Sequence, residues 1–152
     1  MTDKRRSGIL LPVTSLPSPY GIGTIGRAAR RWIDFLKQAG QTLWQILPMG
    51  PTGYGNSPYQ TDSSFAGNPL WIDMEDLLEQ GLLTSEELLG MASTTPRRAD
   101  YPQVAAQRRE LFDAVCLRRR SLEGLSFEAF RSREAFWLED AALFLALKQH
   151  FG

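Results

Sequence analysis

The chain has 152 residues, enough for one domain around one core, and its 17 basic and 17 acidic residues cancel. That neutrality removes any electrostatic argument for nucleic acid or an anionic membrane as partner. A single cysteine, Cys116, excludes an internal disulfide; the apolar run Gly8 to Val13 is too short for a secretory leader, and no apolar run nears the roughly 18 residues of a membrane span, so a cytoplasmic protein is expected.

The first apolar run, Gly8-Ile9-Leu10-Leu11-Pro12-Val13, has the length and flanks of a buried strand. Pro17, Pro19 and Gly21 mark a loop after it. Ile25, Ala28, Ala29, Trp32, Ile33, Leu36 and Ala39 then recur at helical spacing, with Thr24 as expected N-cap and Gly40 as the C′ residue. Thr42 to Leu47 is a second apolar strand, stopped by Pro48. Strand, helix and strand in this order predict a βαβ unit with parallel strands, and near-continuous apolar strands predict burial on both faces.

The stretch that follows, Gly50 to Pro69, holds four Gly, three Pro, two Tyr and one Phe, with Asp62 as its one carboxylate. Gly and Pro at this density forbid a regular helix, and a loop this long is often functional. It leaves the C-terminal end of the second strand, where α/β folds hold their ligands. Its amides, hydroxyls and phenols suit a neutral polyol such as a sugar and offer no fixed charge to a phosphate. A purely structural loop has the same composition, so both readings stand.

Beyond the loop, Met74 to Gln80 reads as a helix ending at Gly81, with Asp73 placed to cap it. Thr84 and Glu87 form a capping box for another short helix. Ser93 to Asp100 reads as a linker. Pro102 to about Leu122 carries Val104, Leu111, Phe112, Val115 and Leu122 on one side, Phe127 to Arg133 is a short helix, and Arg133 or Glu134 to His150 is a stronger one. That last helix is apolar almost all round, as in a helix buried on several sides or left without its partners.

Four motif readings fail on their chemistry. Gly21-Ile22-Gly23-Thr24-Ile25-Gly26 fits a dinucleotide fingerprint in spacing, but two prolines separate it from the strand and no acid ends the second strand. Gly50 to Gly55 lacks the Gly-Lys-Ser/Thr of a phosphate loop. Ser57 is no nucleophile elbow, because Pro58 removes the N–H an oxyanion would need. Arg108, Arg109 and Arg118 to Arg120 are diluted by Glu110, Asp113 and Glu123 and read as a solvated helix face. His150 is the lone histidine and suits a helix end, Cys116 beside Val115 reads as packing, and no metal cluster is expected. Asp62 and Asp73 have no evident partner carboxylate for glycosyl chemistry, so neither is read as catalytic.

Four linked stretches nonetheless resemble one family. Gly8 to Pro17, Pro19-Tyr20-Gly21-Ile22-Gly23, Trp44-Gln45-Ile46-Leu47-Pro48 and Gly50 to Pro69 are similar to the N-terminal part of the 4-α-glucanotransferase (amylomaltase, disproportionating enzyme) family. The resemblance implies an α/β fold, the N-terminal portion of a (β/α)8 TIM barrel with about two barrel strands. Residues 1–75 would begin the catalytic barrel and hold the 50–69 substrate loop, and 76–152 would be a mostly helical insertion. It implies retaining transfer of α-1,4-glucan segments to glucose or another glucan through a covalent β-glucosyl-enzyme, with no cofactor, no nucleic acid and no membrane partner. Position by position, Tyr59 matches a tyrosine stacking on the sugar beside the scissile bond, Ser57 a neighbouring polar contact, and Tyr54 an aromatic near an accessory glucan site; Gln60 and Asn68 are weaker candidates. The family's nucleophilic Asp, acid/base Glu and stabilising Asp belong to later motifs, and a barrel needs roughly 250 residues. The expectation is therefore an N-terminal fragment that is inactive alone, with a non-catalytic glucan-binding or structural role as the alternative.

Overall fold

The computed structural model describes residues 5–92, 98–119 and 127–151, apart from the side chains of Tyr54 and Arg119. Residues 93–97 of the expected linker, Arg120 and Leu122 lie outside these. The chain divides into two compact units, Met1–Pro48 with Pro69–Arg120, and Met49–Asn68 with Ser121–Gly152.

In the first unit, β1 (Gly8–Leu10) pairs in parallel with β2 (Leu43–Gln45), and α1 (Arg27–Gln38) lies between them in sequence. The register sets Gly8 opposite Leu43, Ile9 opposite Trp44 and Leu10 opposite Gln45. The βαβ expectation holds, with strands shorter than the apolar runs, because Val13–Ser15 coils into a 3-10 turn directly after Pro12. Burial on both faces does not hold. Ile9, Leu10 and Leu43 are 40%, 55% and 46% exposed, because the sheet among the described residues has only these two strands and nothing covers its far faces.

The end of α1 is as the sequence predicts. Gly40 adopts φ +71°, its N–H bonds Lys37 O at 3.1 Å, and the Gln41 N–H bonds Leu36 O at 2.8 Å, a Schellman motif. The start is not, for Gly26 is the N-cap, and the Thr24 hydroxyl donates instead to the Asp73 carboxylate. A Cβ on Gly26 would sit 1.8 Å from Asp73 Oδ2, so only glycine lets the positive end of α1 close on that carboxylate. Asp73 also caps α2 (Met74–Glu79), accepting from the N–H groups of Glu75 at 2.9 Å and Asp76 at 3.2 Å. One side chain thus ties two helix starts, which accounts for the glycine-rich turn without a nucleotide.

Thr84 and Glu87 close their capping box at the start of α3 (Ser85–Gly90), and α4 (Tyr101–Arg119) packs behind. Met74, Leu82, Leu83, Leu88, Met91 and Val115 form one buried cluster, edged by Leu111 and Phe112 from α4. Val13, Leu16, Ala29 and Trp71 form a second. Each buried Val, Leu or Met among them contributes on the order of 1.5–3 kcal/mol by leaving water.

Two expectations for α4 fail. Arg108 is not on a solvated face; it is 1% exposed, and its Nη1 donates to the carbonyls of Leu70 and Ile72. The guanidinium serves two chain carbonyls that the Pro69–Trp71 3-10 turn leaves open. Arg118 is also engaged, to both Glu87 oxygens at 2.8 and 2.6 Å. Cys116 is exposed. Val115 takes the core-facing position, and the next residue lies about 100° further round the helix.

In the second unit, α5 (Phe127–Arg133) and α6 (Leu138–Phe151) bury no residue. The last helix begins at Leu138, later than expected, because residues 134–137 make a turn pinned by Glu134. Its carboxylate accepts from Trp137 Nε1 at 2.8 Å and from Arg133 Nε at 2.8 Å. Leu143, Phe144 and Phe151 are 61%, 48% and 78% exposed, so among the described residues α6 is not a helix buried on several sides. No helix among the described residues is long and apolar enough to cross a membrane.

Candidate functional site

The loop between residues 49 and 68 folds on itself as a narrow hairpin. At its base the Asn68 N–H bonds Met49 O at 3.0 Å. Thr52 and Thr61 form an antiparallel bridge, reinforced by the Gly53 N–H to Gln60 O at 3.1 Å. Two turns fill the tip. The first joins Asn56 N–H to Gly53 O at 3.2 Å, with Gly55 at φ +75° and Asn56 at φ +54°. The second joins Gln60 N–H to Ser57 O at 3.1 Å and so sets Pro58 and Tyr59 at its central positions. Proline presets the backbone there, which fixes the residue after it.

That turn brings three of the five expected site residues together, Ser57, Tyr59 and Gln60. Tyr59 is 74% exposed at the tip. Tyr54 belongs to the Tyr54–Asn56 3-10 turn, and its side chain lies outside the described residues. Asn68 sits at the base and is 8% exposed.

The loop's hydroxyls divide in two. Thr61 Oγ1 donates to Ser63 O at 2.8 Å, and Ser63 Oγ accepts from the N–H groups of Phe65 at 3.2 Å and Ala66 at 3.1 Å. These serve the loop's own backbone. Among the described residues, the Ser57 hydroxyl and the Gln60 side-chain amide have no such internal partner, so they are open to a ligand.

The sequence did not reveal what holds the loop. The Phe65 ring meets Phe136 edge-on at 5.2 Å and lies nearly parallel to Trp137 at 6.3 Å. Asp62 pairs with Lys148 Nζ at 2.6 Å. Asp62, Phe65, Phe136, Trp137, Asp140 and Phe144 line a cavity of about 340 Å³. The one signal was Phe65 itself, the loop's single fully apolar ring, but its partners lie some seventy residues on. The Arg133 guanidinium, then the Trp137 indole, hold the Glu134 carboxyl below its usual range.

The two carboxylates nearest the loop in sequence are both committed. Asp62 faces Lys148, and Asp73 accepts from Thr24, Glu75 and Asp76. Among the described residues no three of His, Cys, Asp and Glu gather to hold a metal ion.

Comparison with known proteins gives a consistent result. A family model described as 4-alpha-glucanotransferase matches residues 11–152. The 4-alpha-glucanotransferase of Thermus thermophilus is 47% identical over 152 residues, which cover 97% of this chain and 30% of that protein. That of Aquifex aeolicus is 45% identical over 154 residues, with the same coverage of each. The solved structure of amylomaltase from Streptococcus agalactiae in complex with acarbose superposes with a TM-score of 0.92 at 37% identity, over 98% of this chain and 30% of that one. The chain therefore spans about 30% of the length of these relatives.

Proposed function

The chain belongs to the 4-alpha-glucanotransferase family, and from that premise we propose that its 50–69 loop holds an α-1,4-glucan during retaining transfer of glucan segments to glucose or another glucan. In this reading β1, α1 and β2 open a (β/α)8 barrel within residues 1–75, and residues 76–152 are a helical insertion.

The observation that carries the reading is the Ser57–Gln60 turn, which leaves the Tyr59 ring 74% exposed at the loop tip. An aromatic face suits the apolar C–H face of a pyranose, and the open Ser57 hydroxyl and Gln60 amide can fix the ring's orientation by hydrogen bonds. No fixed charge stands at this turn, so the ligand it favours is neutral. Tyr54 and Asn68 complete the proposed contacts.

The loop's part in the reaction is positioning. Holding a glucosyl unit against Tyr59 fixes the bond beside it relative to the reacting groups, and such fixing is a large share of what enzymes contribute to rate. Asp62 and Asp73 are held by Lys148 and by three hydrogen-bond donors, which leaves neither as nucleophile or acid. The nucleophile and acid/base pair of a retaining transfer are assigned to residues other than these 152.

Incubation of the chain with maltotriose tests both halves. No glucose and no longer maltodextrin should form, while the Tyr59 ring resonances should shift saturably. Tyr59→Ala, compared with the wild type by calorimetry, should weaken that binding about tenfold. Product formation would place a carboxylate pair within these residues; unmoved Tyr59 signals would remove the loop from the site.

A further inference from the structure

Among the described residues, Arg108 is the one charged side chain that is buried, at 1% exposure. Its Nη1 donates to Leu70 O and, at 3.0 Å, to Ile72 O, which lie 38 and 36 residues away in the chain. Its Nε and Nη2 are buried and have no hydrogen-bond partner among the described residues. A buried cation with only part of its donors in use is costly, and an apolar side chain of the same volume often serves stability nearly as well. What the arginine adds, and an apolar side chain cannot, is a fixed place for two backbone carbonyls.

Those carbonyls belong to the segment that directly follows the 50–69 loop in the chain. The groups beside them are fastened too. The Ile25 N–H bonds Trp71 O at 3.0 Å, and the Ile72 N–H bonds Pro69 O at 3.2 Å. The Trp71 side chain is 8% exposed in the cluster of Val13, Leu16 and Ala29, and Asp73 is held by Thr24 and two N–H groups of α2. From Leu70 to Ile72, each carbonyl in succession thus meets a donor from a distant part of the chain: α4, then residue 25, then α4 again. The loop is different. Its base is closed by the Asn68 N–H on Met49 O, and Tyr59 is 74% exposed at its tip. Fixing the end of such a loop reduces the conformations open to it, and a loop already in its bound form binds more tightly.

We propose that Arg108 is a positioning residue for the 50–69 loop: by holding Leu70 O and Ile72 O it fixes the end of the loop and keeps the Ser57–Gln60 turn in the form that meets a glucan. The glucan rests on the proposed function; the anchoring of the loop rests on the Arg108 geometry alone.

The test is backbone amide hydrogen exchange of the chain, joined to maltotriose binding by calorimetry. Arg108→Met keeps most of the volume and removes both hydrogen bonds. It should raise exchange at the Asn68 and Gly53 N–H groups about tenfold and weaken maltotriose binding about tenfold. Arg108→Lys keeps a donor on a shorter stem and should fall between methionine and the wild type in both readings. Val115→Ala, a core truncation about two turns along α4, is the control. It lowers stability, yet it should change loop exchange and binding less than about twofold. Unchanged exchange at Asn68 and Gly53 in folded Arg108→Met overturns the inference. An equal rise in Val115→Ala also overturns it, because the effect would then be general loosening, as does faster loop exchange with unchanged affinity. If maltotriose fails to bind the wild type, the proposed function falls, while the exchange rates still decide whether Arg108 anchors the loop.

Discussion

In the first unit, six side chains at 8% exposure or less share one cluster, and a buried guanidinium joins α4 to the Pro69–Trp71 turn. In the second, α5 and α6 bury nothing, and the loop is held by three half-open rings and one ion pair. The difference separates two tasks. A core-held segment has its polar groups engaged, as Asp73 and Thr24 are. A surface-held loop keeps Tyr59, Ser57 and Gln60 unengaged and therefore able to meet a ligand. Segments with few buried contacts are also the ones that open at low free-energy cost, so the residues proposed to touch sugar sit where the chain is held least.

The largest effect should come from the centre of the first cluster. Met74 is fully buried, and Met74→Ala should cost about 4 kcal/mol through lost burial and the cavity left behind. Phe136→Ala, at a ring 69% exposed, should cost under about 1 kcal/mol. Urea unfolding followed at the Trp71 and Trp137 indoles reads each unit separately. Equal losses at the two positions would break the comparison.

Arg108 comes next. Burial pulls its guanidinium down to about 10, opposed by Asp73, and its Nε and Nη2 lack partners. The charge is thus poorly compensated, while the stem fills core and Nη1 serves two carbonyls. Arg108→Ala should cost about 3 kcal/mol and Arg108→Met only about 1, because methionine keeps most of the volume. Equal costs for the two variants would mean that the hydrogen bonds matter and the packing does not.

Legibility in the sequence follows how far apart the partners are. The Thr84–Glu87 capping box, the Gly40 stop and the Asp73 cap of α2 each depend on residues within four positions, and each appears as read. The N-cap of α1 was misassigned because Thr24 is claimed by Asp73, 49 residues on. Arg108 was misread because its neighbours Arg109 and Glu110 are polar, and nothing local marks one arginine as the buried one. Strand burial was over-read because apolar runs state what a strand needs, not what surrounds it. At the site, Pro58 marks the turn that displays Tyr59, and the role proposed for the tyrosine comes from the family resemblance alone. The Phe65 contacts with Phe136 and Trp137 depend on the fold of the second unit and left no local trace.

The smallest expected effect also compares the units, through one carboxylate in each. Glu87 is lowered to about 2, first by the Arg118 hydrogen bonds and then by the Thr84 N–H. Glu134 is lowered by Arg133 and then by the Trp137 indole. Both groups bind protons less readily folded than unfolded, so their stabilisation is complete above the ordinary carboxylate value of 4.5 and is lost as pH falls, for Glu87 through about 2. Glu87→Gln should therefore flatten the loss of stability between about pH 5 and pH 2 as seen at Trp71, and Glu134→Gln should flatten it at Trp137. The Glu87 effect should be the larger, because Arg118 grips both of its oxygens and the helix cap adds a third bond, whereas Glu134 relies on an adjacent arginine with a 70% exposed side chain. An unchanged pH slope in Glu87→Gln would mean that the α3–α4 link does not persist in solution, and α4 would then be held to the first unit by the apolar cluster and Arg108.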